Sequence, residues 1–370
     1  MLDTDKIRLR SIFVIAVFIS IIGGLFVINL VSQPPDMLMS ERRIPARRPE
    51  LSAETIVSGS FMDGFESFSA DSFPFRENFR AIRASAVFGV FLQTDKDGVY
   101  SDSNGIGSFQ TISAASVEQA ADKIKSVAGV LEGLNVYYAF IPDKSIYSEI
   151  AVPGFDPELV RQLMSAGLNA DEFTFIPLVD ALSAESFYST DLHWDQTRID
   201  GVLNALSAAM GIEIDLSQYS REFAGDFLGV YAGQFALPVD SEKLYYLSHP
   251  SLTAMYMRGA AGDFEAGPVY DLERFIGLDP YDIFLRGAQP LIILENDNAA
   301  SDRELYLFRD SFSSSIAPLL AGAYSRVTVI DFRFIDLHTL SQLIDFTPGS
   351  DALFLYSSVI LNNADALLVR

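Results

Sequence analysis

The chain has 370 residues, 49% of them hydrophobic, which suits a large single domain or two with a sizeable core. Its formal charge is −23, from 26 Lys and Arg against 49 Asp and Glu. That excludes broad contact with a nucleic-acid backbone and disfavours unaided docking of the body on anionic lipid. Cysteine is absent, so structural disulfides, thiolate-bound zinc and thiol nucleophiles are excluded.

The first element is an apolar run. Residues 11–31 are 21 uncharged residues, SIFVIAVFISIIGGLFVINLV, preceded by Lys6, Arg8 and Arg10. As a helix this run spans the ~30 Å hydrocarbon core of a bilayer. It is longer than the apolar part of a cleavable signal, and no A-x-A site follows, so an uncleaved transmembrane anchor is expected. Basic residues favour the cytoplasmic side, but Arg42, Arg43, Arg47 and Arg48 follow the run closely. Charge alone therefore leaves the direction open.

Residues 32–60 read as a linker, with Pro34, Pro35, Pro45, Pro49 and no sustained periodicity. The body runs over 61–370. Apolar, β-branched or aromatic runs at 136–141, 173–179, 290–294, 304–308, 326–331 and 352–356 predict strands covered on both faces. Helical spacing at 116–134, 195–210 and 313–323 places helices between them. This alternation implies an α/β protein, a three-layer α/β/α sandwich with a mainly parallel sheet. Residues 215–287 break the pattern, being rich in Gly, Tyr and Phe, and read as an irregular insertion beside the sheet.

Two motifs carry chemistry. Asp191-Leu192-His193-Trp194 precedes a predicted helix, and His193 is one of only three histidines, with His249 and His338. In an extended segment residues two apart point the same way, so Asp191 and His193 share a side. Trp194, the only Trp, either walls the pocket or belongs to the core. Arg309-Asp310-Ser311-Phe312 is the turn between a predicted strand and helix, where α/β proteins hold ligands. A Ser there projects outward, and the N–H groups of the new helix face what it holds and can stabilise an oxyanion. Ser and Asp are also favoured helix caps, and Ser313, Ser314 and Ser315 compete for either role. Asp, His and Ser together are the parts of an activated nucleophile.

The two motifs together resemble the DHHW family of bacterial surface proteins, related to the SGNH-hydrolase-like domains of alginate O-acetylation proteins. Matching segments run in order over residues 61–370. They are Asp71-Ser72-Phe73-Pro74-Phe75-Arg76, Ile141-Pro142-Asp143-Lys144, Tyr188 to Trp194, Phe223 to Gly229, Tyr281 to Gly287, Arg309 to Phe312, and Ile330-Asp331-Phe332-Arg333. The resemblance implies an SGNH-like domain with Ser311 as nucleophile, His193 as general base and acid, and Asp191 as the orienting carboxylate. Trp194, Tyr281, Arg309, Asp310 and Arg333 are candidates to line the substrate pocket. Leu192 departs from the naming motif, and Arg309 stands where a Gly would precede Asp-Ser. Asn296, Asn298, Asn362 and Asn363 are the candidates for an oxyanion-hole Asn.

The expected activity is acyl transfer to a cell-surface or secreted polysaccharide, or hydrolysis of an ester on it, without cofactor or metal. With the absent cysteines, the resemblance puts residues 1–10 in the cytoplasm and the body outside it. It also implies a membrane-bound O-acyltransferase partner that supplies the acyl group. The alternative is a non-catalytic carbohydrate-binding or assembly protein of surface-polysaccharide machinery.

Overall fold

A computed structural model describes residues 2–32, 35–150, 155–258 and 262–369. Pro34 of the expected linker lies outside the described residues. The chain divides into two compact units, Met1–Gln93 and Thr94–Arg370. The division falls later than residue 60, where the sequence suggested the body begins, because residues 61–90 are largely helical and fall within the first unit.

In the first unit the apolar run lies within one helix, Leu2–Val31, which is long and apolar enough to cross a membrane. Helices Ala53–Val57, Ser60–Asp71 and Arg76–Ser85 follow, and a π-helical turn, Ala86–Val90, continues the last of them. The first of these starts where Ser52 and Thr55 cap each other's backbone, so the expected linker carries a short helix. The Asp71-to-Arg76 motif ties this unit together. Asp71 is buried and accepts two bonds from Arg43 (2.7 and 2.6 Å) and one from the Ala46 N–H (2.8 Å), while Arg76 pairs with Glu41. The Arg43 bonds hold the Asp71 carboxyl below its usual range, against the opposing effect of burial.

The second unit contains thirteen strands among the described residues. Strands β1 (Asp95–Lys96), β2 (Val99–Asp102) and β3 (Gly105–Ser108) form an antiparallel meander. The main sheet takes β4 (Asn135–Ile141) and β5 (Thr174–Phe175). Strands β6 (Ser220–Phe227) and β7 (Glu242–Ser248) pair with each other as a separate two-stranded sheet. Strands β8 (Leu252–Arg258), β9 (Asp263–Gly267), β10 (Leu291–Asn296), β11 (Glu304–Arg309), β12 (Arg326–Ile330) and β13 (Asp351–Ser357) complete the main sheet. Its spatial order is β5-β4-β13-β11-β12-β10-β8-β9. The five strands from β5 to β12 are parallel, and β10, β8 and β9 add on antiparallel.

Residues 215–287 are therefore not wholly an insertion beside the sheet, since β8 and β9 extend its edge. Strand β8 reads LTAMYMR and buries Ala254 and Tyr256, two residues apart, which is the half-covered pattern of an antiparallel edge rather than a continuous apolar run.

Alternation along the central strands sends side chains to two cores. Leu305, Leu307, Leu353 and Leu355 join helices Asp200–Met210 and Ser313–Leu320 on one face. Tyr306, Phe308, Phe354 and Tyr356 join helices Ala114–Ala128 and Pro157–Gly167 on the other. Helices on both faces explain why these strands read as unbroken apolar runs. The parallel strands end together, so the turns after β4, β11, β12 and β13 share one edge. That edge carries Asp143 and Lys144, Ser311, Asp331 and Ser357.

Candidate active site

The turn after β11 is held rigidly. Asp310 is 1% exposed. Its Oδ1 accepts the Phe312 N–H (3.0 Å) and its Oδ2 accepts the Ser357 N–H (2.7 Å), tying the end of β11 to that of β13. Asp310 is thus the turn's anchor. Ser311 is left partly exposed at the start of helix Ser313–Leu320. The three following serines are buried: Ser313 donates to Leu355 O (3.3 Å), Ser314 accepts from Arg309 (2.5 Å) and Ser315 accepts from Trp194 (2.8 Å). They are structural and do not compete with Ser311.

The turn's amides are mostly occupied. The Phe312 N–H binds Asp310 Oδ1, the Ser313 N–H binds Asp310 O and the Ser314 N–H binds Ser311 O. The expectation that the new helix's first amides face a ligand is corrected accordingly, since the turn itself takes them up.

The Asp-x-His segment sits on a hairpin-like loop closed by a Phe187–Trp194 bridge. The Tyr188 N–H bonds His193 O (3.0 Å) and the Asp195 N–H bonds Ser186 O (2.8 Å). The i, i+2 relation brings the two side chains together. Asp191 Oδ1 lies 2.7 Å from His193 Nδ1 and accepts the His193 N–H at 3.0 Å, while Oδ2 accepts the Val230 N–H at 2.8 Å. The opposite ring nitrogen, Nε2, lies 2.9 Å from Ser311 Oγ, across 118 residues of sequence. Asp191 is fully buried, and His193 is 5% exposed. Tyr281 stacks on the imidazole with ring centres 3.9 Å apart and planes 7° from parallel, and its hydroxyl donates to Ser315 Oγ (2.8 Å). Burial raises the Tyr281 pKa well above its usual value, so this ring stays neutral.

The remaining sequence candidates are placed differently from a pocket lining. Trp194 is fully buried, and its indole N–H bonds Phe312 O (3.0 Å) as well as Ser315 Oγ, so it pins the His loop to the Ser helix and presents no surface to a ligand. Arg309 is fully buried and donates to Gly287 O (3.1 Å) and Ser314, with Asp331 3.8 Å from its Nε. Burial lowers the Arg309 pKa, opposed by Asp331. Gly287 offers that carbonyl from a left-handed turn in which Leu285, Arg286 and Gly287 all have positive φ. Arg333 clamps Asp331 at 2.8 and 2.6 Å. These three contribute packing and ion pairs where the sequence suggested substrate contact. Asn296 caps the far end of β10, opposite the Ser311 edge, and bonds Ala321 O (2.8 Å). Asn362 bonds Ser113 N and Thr111 O, so neither Asn reaches the site.

Sequence reasoning missed the residues that hold the loop. Lys144, half-buried after β4, donates to Tyr188 O (2.8 Å) and Asp191 O (2.9 Å). Burial lowers its pKa from 10.5 to about 8, although Asp191 and Glu242 oppose that shift. Glu242 accepts the N–H groups of Ser189 (2.8 Å) and Thr190 (2.7 Å) and the Thr190 hydroxyl (2.6 Å). At Gly229 an added Cβ would lie 2.2 Å from Thr190 O and 2.4 Å from Asp191 Cβ, so only glycine fits against the loop. Lys144 lies in a quoted segment, and Gly229 ends another. Glu242 carries no local signal.

A cleft of about 570 Å³ opens beside the same loop, with Asn104, Ser189, Asp195, Arg221, Glu242 and Tyr245 among its lining residues. Tyr188 also lines it, and its buried hydroxyl has no hydrogen-bond partner among the described residues.

No family model and no curated protein matches the chain. Solved structures do. A DHHW family protein from Eubacterium siraeum superposes with a TM-score of 0.58 at 18% identity, over 74% of this chain and 95% of that one. PatB1 of Bacillus cereus, solved with a sulfonyl adduct, gives 0.55 at 20% identity, over 71% and 96%. The O-acetyltransferase domain of Pseudomonas putida AlgJ gives 0.43 at 13%, over 72% and 93%. The structural neighbours of this chain thus include a member of the DHHW family that its motifs resemble, and the property shared with that protein and with PatB1 is the fold.

Proposed function

We infer that the chain is a membrane-anchored, extracytoplasmic O-acyltransferase or esterase that acts on a polysaccharide through Ser311, His193 and Asp191. The observation that carries this reading is the unbroken relay from Asp191 Oδ1 to His193 Nδ1 (2.7 Å) and from His193 Nε2 to Ser311 Oγ (2.9 Å), ending on a partly exposed hydroxyl. Helices on both sheet faces suit a three-layer, SGNH-like domain. PatB1, with a similar fold, was solved with a sulfonyl adduct, and sulfonyl electrophiles are taken up by activated nucleophiles.

In the proposed reaction His193 Nε2 takes the Ser311 proton as Oγ attacks the acyl carbonyl. Asp191 keeps the Nδ1 proton in place and stabilises the imidazolium. Collapse releases the donor's leaving group, which receives the proton from Nε2, and leaves an acyl ester on Ser311. A sugar hydroxyl then gives its proton to Nε2 and attacks the ester; collapse expels Ser311 Oγ, which takes that proton from Nε2, and releases the acylated sugar. Water in place of the sugar makes the enzyme an esterase. The cleft lined by Tyr245 and Arg221 has the size and mixed aromatic and polar walls to hold a glycan chain along the loop that carries His193. A membrane-bound O-acyltransferase supplying acyl groups is the partner that the family resemblance implies.

The test is turnover of a chromogenic acetyl ester by the full-length protein in detergent. Ser311→Ala and His193→Ala are each expected to lower kcat by about 10³-fold or more. Unchanged turnover in both variants would overturn the roles given to Ser311 and His193, and no turnover in the parent with any acyl donor while glycan binding persists would favour the non-catalytic alternative.

A further inference from the structure

In the first unit, one helix is amphipathic with its apolar side turned outward. Phe75, Phe79, Ile82, Val90, Phe91 and Leu92 are between 46% and 79% exposed. At about 100° per residue, Phe75, Phe79 and Ile82 share one stripe of helix Arg76–Ser85. Ala84, on the opposite side of that helix, is fully buried. Arg76 and Arg80 turn to the packed side, where they meet Glu41, Glu77 and Ser40. A surface helix of a globular protein does the reverse, burying its apolar stripe. An outward apolar stripe of this kind, with Val90, Phe91 and Leu92 exposed a short way beyond it in sequence, marks an interaction surface.

Two observations indicate what covers it. The first is continuity with the apolar helix Leu2–Val31. Asn29, in its last turns, donates to Ser69 Oγ (2.6 Å) and Ser69 O (3.3 Å), joining the end of that helix to Ser60–Asp71. Asp71 at the end of Ser60–Asp71 holds Arg43, and the neighbouring Glu41 holds Arg76 at the start of the outward-facing helix. The patch is therefore linked to the end of the apolar helix by three successive polar ties. The second is charge. Residues 1–93 contain ten Lys and Arg against ten Asp and Glu, so the entire −23 falls on residues 94–370. A neutral unit approaches a membrane surface without the repulsion that the rest of the chain would meet.

We propose that the stripe from Phe75 to Leu92 lies in the headgroup and upper acyl region of the bilayer crossed by helix Leu2–Val31, as a second, in-plane membrane contact. This rests on the reading of that helix as an anchor. A helix lying in the interface buries its apolar side into the boundary and keeps its polar side toward water or protein. The consequence is a juxtamembrane unit held at fixed depth by two contacts instead of hanging from one span.

The test uses the parent's single tryptophan. Trp194 is fully buried in the second unit, so full-length Phe79→Trp and Phe91→Trp variants each add one reporter. Each is reconstituted in phosphatidylcholine nanodiscs with or without acyl-chain bromination. The expected result is blue-shifted emission from the added reporter, quenched at least twofold by brominated lipid, with parent emission unchanged. Failure of the chain to co-elute with nanodiscs would sink the anchor reading and this one with it. Co-elution with unquenched, water-like emission from both variants would overturn this proposal alone. Unquenched but blue-shifted emission with a dimeric chain would also overturn it, because a second copy would then cover the stripe.

Discussion

Asp191 shows most clearly how one side chain can serve two elements. Its Oδ1 orients His193, and its Oδ2 receives the Val230 N–H from the segment that follows β6. Replacing it by Asn keeps a group of the same shape. If the amide oxygen meets the Val230 N–H, the amide NH₂ faces Nδ1, which must then accept, and the Nε2 proton points at Ser311 instead of receiving one. Asp191→Asn should therefore lower kcat by about 10³- to 10⁴-fold, with only a modest loss of folding stability from the His193 N–H that loses its acceptor, measured by ester turnover and thermal melting on the same sample. A variant that melts far lower would mean that the carboxylate's role is chiefly structural. This pair was legible in the sequence because i, i+2 is a local relation. Ser311 was legible because a strand–turn–helix exposes its middle residue. Trp194 and Arg309 were not, since their partners lie 118 and 22 positions away and burial decides what they can touch.

At the scale of elements, the loop from Ser186 to Asp195 is positioned from outside itself. Lys144 after β4 and Glu242 at the start of β7 grip its carbonyls and amides, and Gly229 lets the segment after β6 close against it. Lys144 makes this grip pH-dependent. Its pKa is about 8 when folded and 10.5 as a free side chain, so between those values the unfolded chain binds more protons. Stability then rises with pH across that window and falls as pH drops through 8, where the buried cation must be carried. The melting temperature of the parent minus that of Lys144→Met should increase between pH 7.5 and pH 10. A constant difference would show that Lys144 titrates normally. None of these grips was visible in the sequence, because each joins segments tens of residues apart. The central parallel strands were visible as apolar runs. The antiparallel edge was not, because half-buried alternation in β8 blends into a Gly- and Tyr-rich stretch.

Over the whole molecule, chemistry and charge are separated along the chain. The reactive edge lies where parallel strands end, in a unit carrying all of the net negative charge, while the neutral first unit holds the apolar helix and the outward apolar stripe. That separation suits the proposed arrangement, in which the neutral unit meets the membrane and the acidic unit does not. The strongest test of the account is covalent labelling of the full-length protein with an aryl sulfonyl fluoride, read by mass spectrometry of the intact chain and its peptides. The account predicts one sulfonyl group per chain, on Ser311, with labelling lost in His193→Ala. No label, or a label on another residue that His193→Ala leaves unchanged, would contradict it.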